Sequence, residues 1–225
     1  MIVGEAGPLL AIETSSRRAT VALAAGTFRT ETALARERAH ASDLVPAIDR
    51  LCRSAGLPAG APLRGGAVLV GTGPGSYTGL RVGIATALGI VRGAGAALRG
   101  VPSFEVLAFA ALAPGEEGVI VGNARAAAFY YARYRREADD VVTLAPPSVR
   151  AAGEIRALLA PEETILADEA VAAAAALPPE LARRVRTELW PRAGSLLILG
   201  GRRLRALGAQ TPADVQPLYL RPFGG

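Results

Sequence analysis

Apolar residues in this chain fall in short runs whose period changes, and each change marks an element. Residues 9–14 are a compact apolar run that closes on Glu13-Thr14-Ser15-Ser16, residues 20–25 are a second, and residues 28–34 alternate. Three consecutive strands joined by tight turns fit this pattern. From Ser42 to Cys52 the spacing becomes helical, with Leu44, Val45, Ile48, Leu51 and Cys52 on one side. Ser42 suits an N-cap, Asp43 suits a first turn, and Pro46 is tolerated close to a helix start. A Gly- and Pro-rich connection, 56–66, leads to a strand at 67–70, then a Gly-rich loop, then a helix over 79–92. On that helix Gly79, Gly83 and Ala87 fall four apart and form a bare stripe, with Ile84, Leu88 and Val91 beside it. Glycine inside a soluble helix costs about 1 kcal/mol relative to Ala, so close approach of another helix is the expected compensation.

The order β β β α β α is followed by a second region of similar content. A helix capped by Ser103 runs to residue 112, and strands are expected at 119–123, 129–134 and 141–144. A helix at 151–159, a strand at 164–167, an Ala-rich helix at 168–176 and a helix at 193–207 complete the pattern. The tail 216–222 is bracketed by prolines and reads as extended. The organisation expected is an N-terminal lobe, 1–100, and a C-terminal lobe, 101–225, with the final helix or tail free to return to the first. The fold class is α/β, with mixed sheets flanked by helices.

Composition narrows the chemistry. At 225 residues and 51% hydrophobic content the chain is long and apolar enough for a packed core. All 25 basic residues are Arg. Without Lys there is no Schiff-base amine, no P-loop ammonium and no lysine general base. The net charge of +5 permits an acidic partner such as RNA, but the Arg pairs are scattered and also fit a solvated surface. A single cysteine, Cys52, excludes an internal disulfide and a thiolate metal cluster. With no leader pattern and no apolar stretch long enough to span a bilayer, the expected location is the cytoplasm, away from any membrane.

The loop Gly71-Thr-Gly-Pro-Gly-Ser-Tyr-Thr-Gly-Leu-Arg81 is the chemically distinctive segment. Strand, glycines and helix start together resemble an anion cradle, yet no register supplies the Lys-Ser/Thr of a P-loop or the three glycines of a dinucleotide fingerprint. A tight turn that brings a helix in close is the alternative. Ser76 and Thr78 have no neighbouring base, so a hydroxyl serving backbone N–H groups suits them better than a nucleophile. Arg81 is expected to pair with a carboxylate or a carbonyl. The single histidine, His40, has Leu44 four positions on, so a two-histidine helical metal site has no second ligand. Glu13, after the first strand, fits either hydrogen bonding to nearby turns or the remnant of a metal–nucleotide site.

Several segments resemble one family. Residues 10–16, Leu-Ala-Ile-Glu-Thr-Ser-Ser, are similar to the first strand and turn of actin-like ATPase folds. Gly73, Pro74, Gly75, Ser76, Tyr77, Thr78, Gly79, Leu80 and Arg81, continuing to Thr86, closely resemble the hallmark of the bacterial TsaB (YeaZ) family. Weaker matches lie at 40–51, at Asn123-Ala-Arg125 with Phe129-Tyr130, at Trp190-Pro-Arg-Ala193 and at 217–221. Glu13 and Asn123 stand where that family commonly has Asp.

The resemblance implies the actin-like (ASKHA, ribonuclease H-like) fold and a non-catalytic scaffold or activator subunit. The assembly it implies installs threonylcarbamoyl on N6 of adenosine-37, beside the anticodon, in tRNAs reading codons that begin with A. It implies a catalytic TsaD-like partner, a TsaE-like ATPase, tRNA contact through the complex and a homodimer when the partner is absent. It implies no catalytic set, cofactor or metal in this chain. A peptidase M22-like label, which the family also carries, finds no support in the residues. The interface expected is the pair of N-lobe helices, through Leu44, Val45, Ile48, Leu51, Gly79, Gly83 and Ala87. The competing class is a small actin-like ATPase or a TsaD-like transferase with its own activity.

Overall fold

The computed structural model describes residues 7–34, 40–58, 62–124, 128–160, 162–167, 171, 181, 183–187 and 189–220. The helix expected at 168–176 lies outside them apart from Val171, as do Arg125 and the end of the tail. The chain forms two compact units, one of Met1–Val106 with Pro191–Leu218 and the other of Leu107–Trp190 with Tyr219–Gly225.

The first unit is built on a five-stranded sheet with spatial order β3-β2-β1-β4-β5. Its strands are β1 (Leu9–Glu13), β2 (Thr20–Ala25), β3 (Phe28–Ala33), β4 (Ala67–Gly71) and β5 (Ala97–Val101). β1 pairs antiparallel with β2 and parallel with β4, so it lies at the centre, and all five of its residues are buried. A strand covered on both faces needs no alternation, which is why Leu-Leu-Ala-Ile reads as a continuous apolar run. On one face Leu10 and Ile12 join a core with α1 (His40–Ser54) and α2 (Tyr77–Ala94). On the other, Leu9 and Ala67 pack with Leu197 and Leu204 of the last helix, Ala193–Leu207.

That last helix has no side-chain cap of its own at Arg192. Strand residues supply it: Ala193 N–H donates to Thr20 Oγ1 at 2.8 Å and Gly194 N–H to Glu31 Oε1 at 3.1 Å. Glu31 also pairs with Arg192 at 2.8 Å, so one carboxylate both caps the helix and neutralises its first turn. Beyond the helix, a strap covers the β5 edge. Gln210 N–H donates to Leu98 O (2.8 Å), Gly100 N–H to Gln210 Oε1 (2.8 Å), and Leu218 N–H to Thr72 O (2.8 Å). Val215 is buried against Gly100 between these bonds.

α3 (Ser103–Ala111) leads into the second unit, whose sheet has order β10-β9-β6-β7-β8. Its strands are β6 (Glu117–Asn123), β7 (Ala128–Arg136), β8 (Val141–Ala151), β9 (Thr164–Leu166) and β10 (Val185–Arg186). β6–β8 form an antiparallel meander, and β9 and β10 add parallel strands on the far side of β6. The second sheet therefore repeats the strand order of the first. α4 (Ala152–Leu158) follows β8 as α1 follows β3, and the helix at Ala193–Leu207 is α5. The mixed sheets flanked by helices agree with the fold class read from the sequence.

Several boundaries differ from expectation. α1 spans His40–Ser54, so Ser42 lies inside the helix and Pro46 in its middle. Pro46 is on the exposed side, where water can serve the carbonyl that its missing N–H leaves free. β5 and β10 were not expected, and β8 runs seven residues past its predicted end through Pro146-Pro147. No helix among the described residues is long and apolar enough to cross a membrane.

Candidate functional site

The Gly71–Arg81 loop connects β4 to α2 and lies against the end of β1. Its backbone is tied inward. Ser76 N–H donates to Ser15 O at 2.7 Å, and Thr14 Oγ1 donates to Gly79 O at 2.8 Å. Gly73 makes a reciprocal pair with Ser103: its N–H reaches Ser103 Oγ at 3.0 Å, and its carbonyl accepts from Ser103 N–H at 2.7 Å. Ser76 is the N-cap of α2, accepting from Gly79 N–H at 3.2 Å. The Gly73–Pro74 peptide is cis, and Gly73 has φ of 97°.

The glycines follow from this proximity. A Cβ on Gly79 would stand 2.1 Å from Thr14 O, one on Gly83 2.2 Å from Thr14 Oγ1, and one on Gly75 2.3 Å from Ser15 O. On Gly71 it would stand 2.1 Å from Glu13 Oε2. Atoms at such separations overlap, so the loop and first turns of α2 require residues without side chains. The helix approaches its own β1 turn.

Glu13 is fully buried beneath the loop. Its Oε1 accepts from Ser15 N–H at 2.8 Å. Burial pushes its carboxyl above the usual range, against the opposing pull of hydrogen bonds from the Ser15 hydroxyl and N–H, the Ser103 hydroxyl and the Thr14 N–H. The N–H groups of Gly73, Ser76, Gly79 and Ser15 thus all meet acceptors from the protein itself. Of these four, only the Ser15 N–H is given to the Glu13 carboxyl.

Arg81, expected on a carboxylate or a carbonyl, instead leans on Tyr77: it hydrogen-bonds the phenol oxygen, and its guanidinium stands 5.2 Å from the ring centre. Thr78 is exposed and Pro74 buried. The side chain of His40 is outside the described residues. Among the described residues, no group of three or more His, Cys, Asp or Glu is placed to hold a metal ion.

The seven residues expected at the interface differ in exposure. Leu44, Ile48, Leu51 and Ala87 belong to the unit's own core, and Gly79 and Gly83 are buried against Thr14. These six face inward, toward the sheet and the turn after β1. Val45 alone of the seven is exposed, at 58%. On α2 the outward stripe is Ala85, Gly89 and Gly93, all exposed, and a Cβ on either glycine meets nothing within 4 Å. This second four-residue spacing is equally visible in the sequence. Only the packing of α2 on β1 decides which stripe turns outward.

Comparison with known proteins agrees with this reading of the fold. The tRNA threonylcarbamoyladenosine biosynthesis protein TsaB of Haemophilus influenzae is 32% identical over 131 residues, 57% of this chain and 54% of that protein. An uncharacterized protein of Mycobacterium leprae is 40% identical over 83 residues, 37% of this chain and 21% of that protein. The matched stretches thus span about half, or less, of these curated relatives. Among solved structures, YeaZ from Pseudomonas aeruginosa superposes with a TM-score of 0.79 at 23% identity, covering 95% of this chain and all of that one. A second P. aeruginosa structure, of an uncharacterized protein similar to peptidase YeaZ, gives 0.81 at 22% identity over 96% of this chain and the whole of that one. Residues 31–201, most of the chain, match the family model described as TsaD: tRNA N6-adenosine threonylcarbamoyltransferase, and the chain belongs to that family, with TsaB (YeaZ) proteins as the members it resembles.

Proposed function

We propose that this chain is a non-catalytic scaffold and activator in the machinery that places threonylcarbamoyl on N6 of adenosine-37 in tRNAs reading codons beginning with A. A TsaD-like subunit is its catalytic partner, a TsaE-like ATPase works with the pair, and tRNA is met through the complex. When the partner is absent, a homodimer uses the same surface. The observation that carries the reading is the inward-bonded loop: Gly73 N–H is taken by Ser103 and Ser76 N–H by Ser15, and side chains on Gly71, Gly75, Gly79 and Gly83 would collide with residues 13–15. The Gly73 and Ser76 N–H groups are thereby unavailable to a nucleotide phosphate, and the family match and the TsaB relative favour the tRNA pathway.

The interface moves to the outward side of α1 and α2, through Val45, Ala85, Gly89 and Gly93. Small residues at four-residue spacing let a second helix come close, and the exposed Val45 adds apolar area. The test is reconstitution of the tRNA modification with the TsaD-like and TsaE-like proteins, with and without this chain. Activity falls to background without it; unchanged activity refutes the proposal. Gly89→Leu should leave the fold intact and abolish co-purification with the TsaD-like protein. Normal co-purification would move the interface elsewhere.

A further inference from the structure

The second unit carries a concave site of its own. α4 is seven residues long, about two turns, and cannot roof the whole sheet face on which it packs. Ile155 and Leu159 join the core with Val119, Val121 and Phe129. Beside Leu158 the face opens into a cavity of about 670 Å³, within the range of small-molecule sites. Tyr131, Ala145 and Ser148 lie along its lining, with Leu144 and Leu158 as half-exposed apolar walls. The β7–β8 register steps between Tyr131 and Arg133, and again between Arg133 and Tyr134. Such irregularities turn side chains away from the regular ladder, and here they border the cavity.

The charges at the rim are unequal. Arg133 pairs with Glu163 at 2.8 Å, and Glu117 lies 3.6 Å from Arg135. Arg150 differs. Its nearest carboxylate, Glu154, is 3.8 Å away, and that side chain accepts the Ala151 N–H at 2.8 Å. Among the described residues the Arg150 guanidinium makes no hydrogen bond; its Nε, like that of Arg133, is buried without an acceptor, but Arg133 is committed to Glu163 through its terminal nitrogen. Buried donors of this kind are normally satisfied. The Ser148 hydroxyl sits on the same lining, and its bond to Tyr131 O is long, at 3.5 Å.

A guanidinium with uncommitted donors, a hydroxyl free to turn and an apolar lining select one kind of ligand. We propose that this cavity binds a small organic oxyanion, a phosphate monoester or carboxylate on a ring-sized apolar body. Arg150 and Ser148 hold the oxyanion; Tyr131, Leu144 and Leu158 hold the body. The inference is independent of the function proposed above, because it uses residues of the second unit alone.

The test titrates the full chain with phenyl phosphate and benzoate, with inorganic phosphate and phenol as controls, by calorimetry and amide chemical shifts. At least one of the two ring-bearing anions should bind saturably and shift Tyr131, Ala145 and Ser148, with both controls at least tenfold weaker. Arg150→Ala should weaken binding at least tenfold without lowering the melting midpoint. If that variant fails to fold, Ser148→Val carries the same prediction. The proposal is overturned by absence of saturable binding, by controls that bind equally well, by shifts confined to other residues, or by a loss smaller than tenfold.

Discussion

At the scale of single residues, the glycines of α2 divide by what lies outside them. Gly83 faces Thr14 Oγ1 and Gly89 faces open space. Gly83→Ala should therefore destabilise the chain by about 1–3 kcal/mol through overpacking, while Gly89→Ala should stabilise it by up to about 1 kcal/mol through helix propensity. Denaturant melts of the two variants give the opposite signs directly. Two carboxyls also answer pH in opposite senses. The Glu13 carboxyl is raised by burial, so the folded state binds more protons than the unfolded state above about 4.5, and stability falls as pH rises through that window. Burial works to raise Glu116 as well, but hydrogen bonds from Ala113 N–H, Thr164 and Arg186 outweigh it and hold the carboxyl low. Its contribution is present above about 4.5 and is lost as pH falls through the folded value. Melts across pH 4 to 8 should show the stability of Glu13→Gln, relative to the parent chain, improving with rising pH. For Glu116→Gln the deficit should hold from pH 8 down to about 4.5 and shrink only in melts carried below that value.

At the scale of elements, legibility followed the strength of the local pattern. β1, β2, β4, α2 and α5 could be read from the sequence because their apolar residues carry the period of a fully or half-covered element. β5 was missed because Ala-Leu-Arg-Gly-Val has neither alternation nor a continuous apolar run; it is a strand because β4 and the strap hold it. β8 was cut short at its prolines, which are tolerated because β8 is an edge strand. The loop's place between β4 and α2 was legible, but the direction of its glycines was not, since contact with Thr14 spans a long stretch of sequence. Likewise the cap on α5 comes from Thr20 and Glu31, which no window around Arg192 contains. The strap permits a test at this scale. Truncation after Gly208 should uncover the Leu98–Gly100 edge and remove Val215 from the core, giving a lower melting midpoint and self-association visible by light scattering.

At the scale of the whole molecule, the repeated strand order is the main feature that the sequence withheld. Both sheets run as an antiparallel meander with two parallel strands added beyond its first member. The sequence showed two regions of similar content, but strand order resides in pairings between distant segments and leaves no local mark. The two sheets differ at corresponding places: β1 closes on Glu13 under the loop, and β6 closes on Asn123. The absence of Lys affects the molecule as a whole, since every basic contact must be made by a guanidinium. If tRNA binds this chain through such contacts, its affinity should fall with salt in proportion to the phosphates engaged.

The strap and α5 have a further consequence for biosynthesis. The first sheet is translated early, yet one of its faces and its β5 edge are covered only by residues 191–218. As the chain leaves the ribosome, the second unit's strands emerge while the first sheet still lacks that cover. Unlike domains that complete in order from the N-terminus, this molecule closes its first unit only after most of the second has been made. A premature stop near residue 190 would therefore leave the end of the protein translated first, with its hallmark loop, as the part that fails to fold.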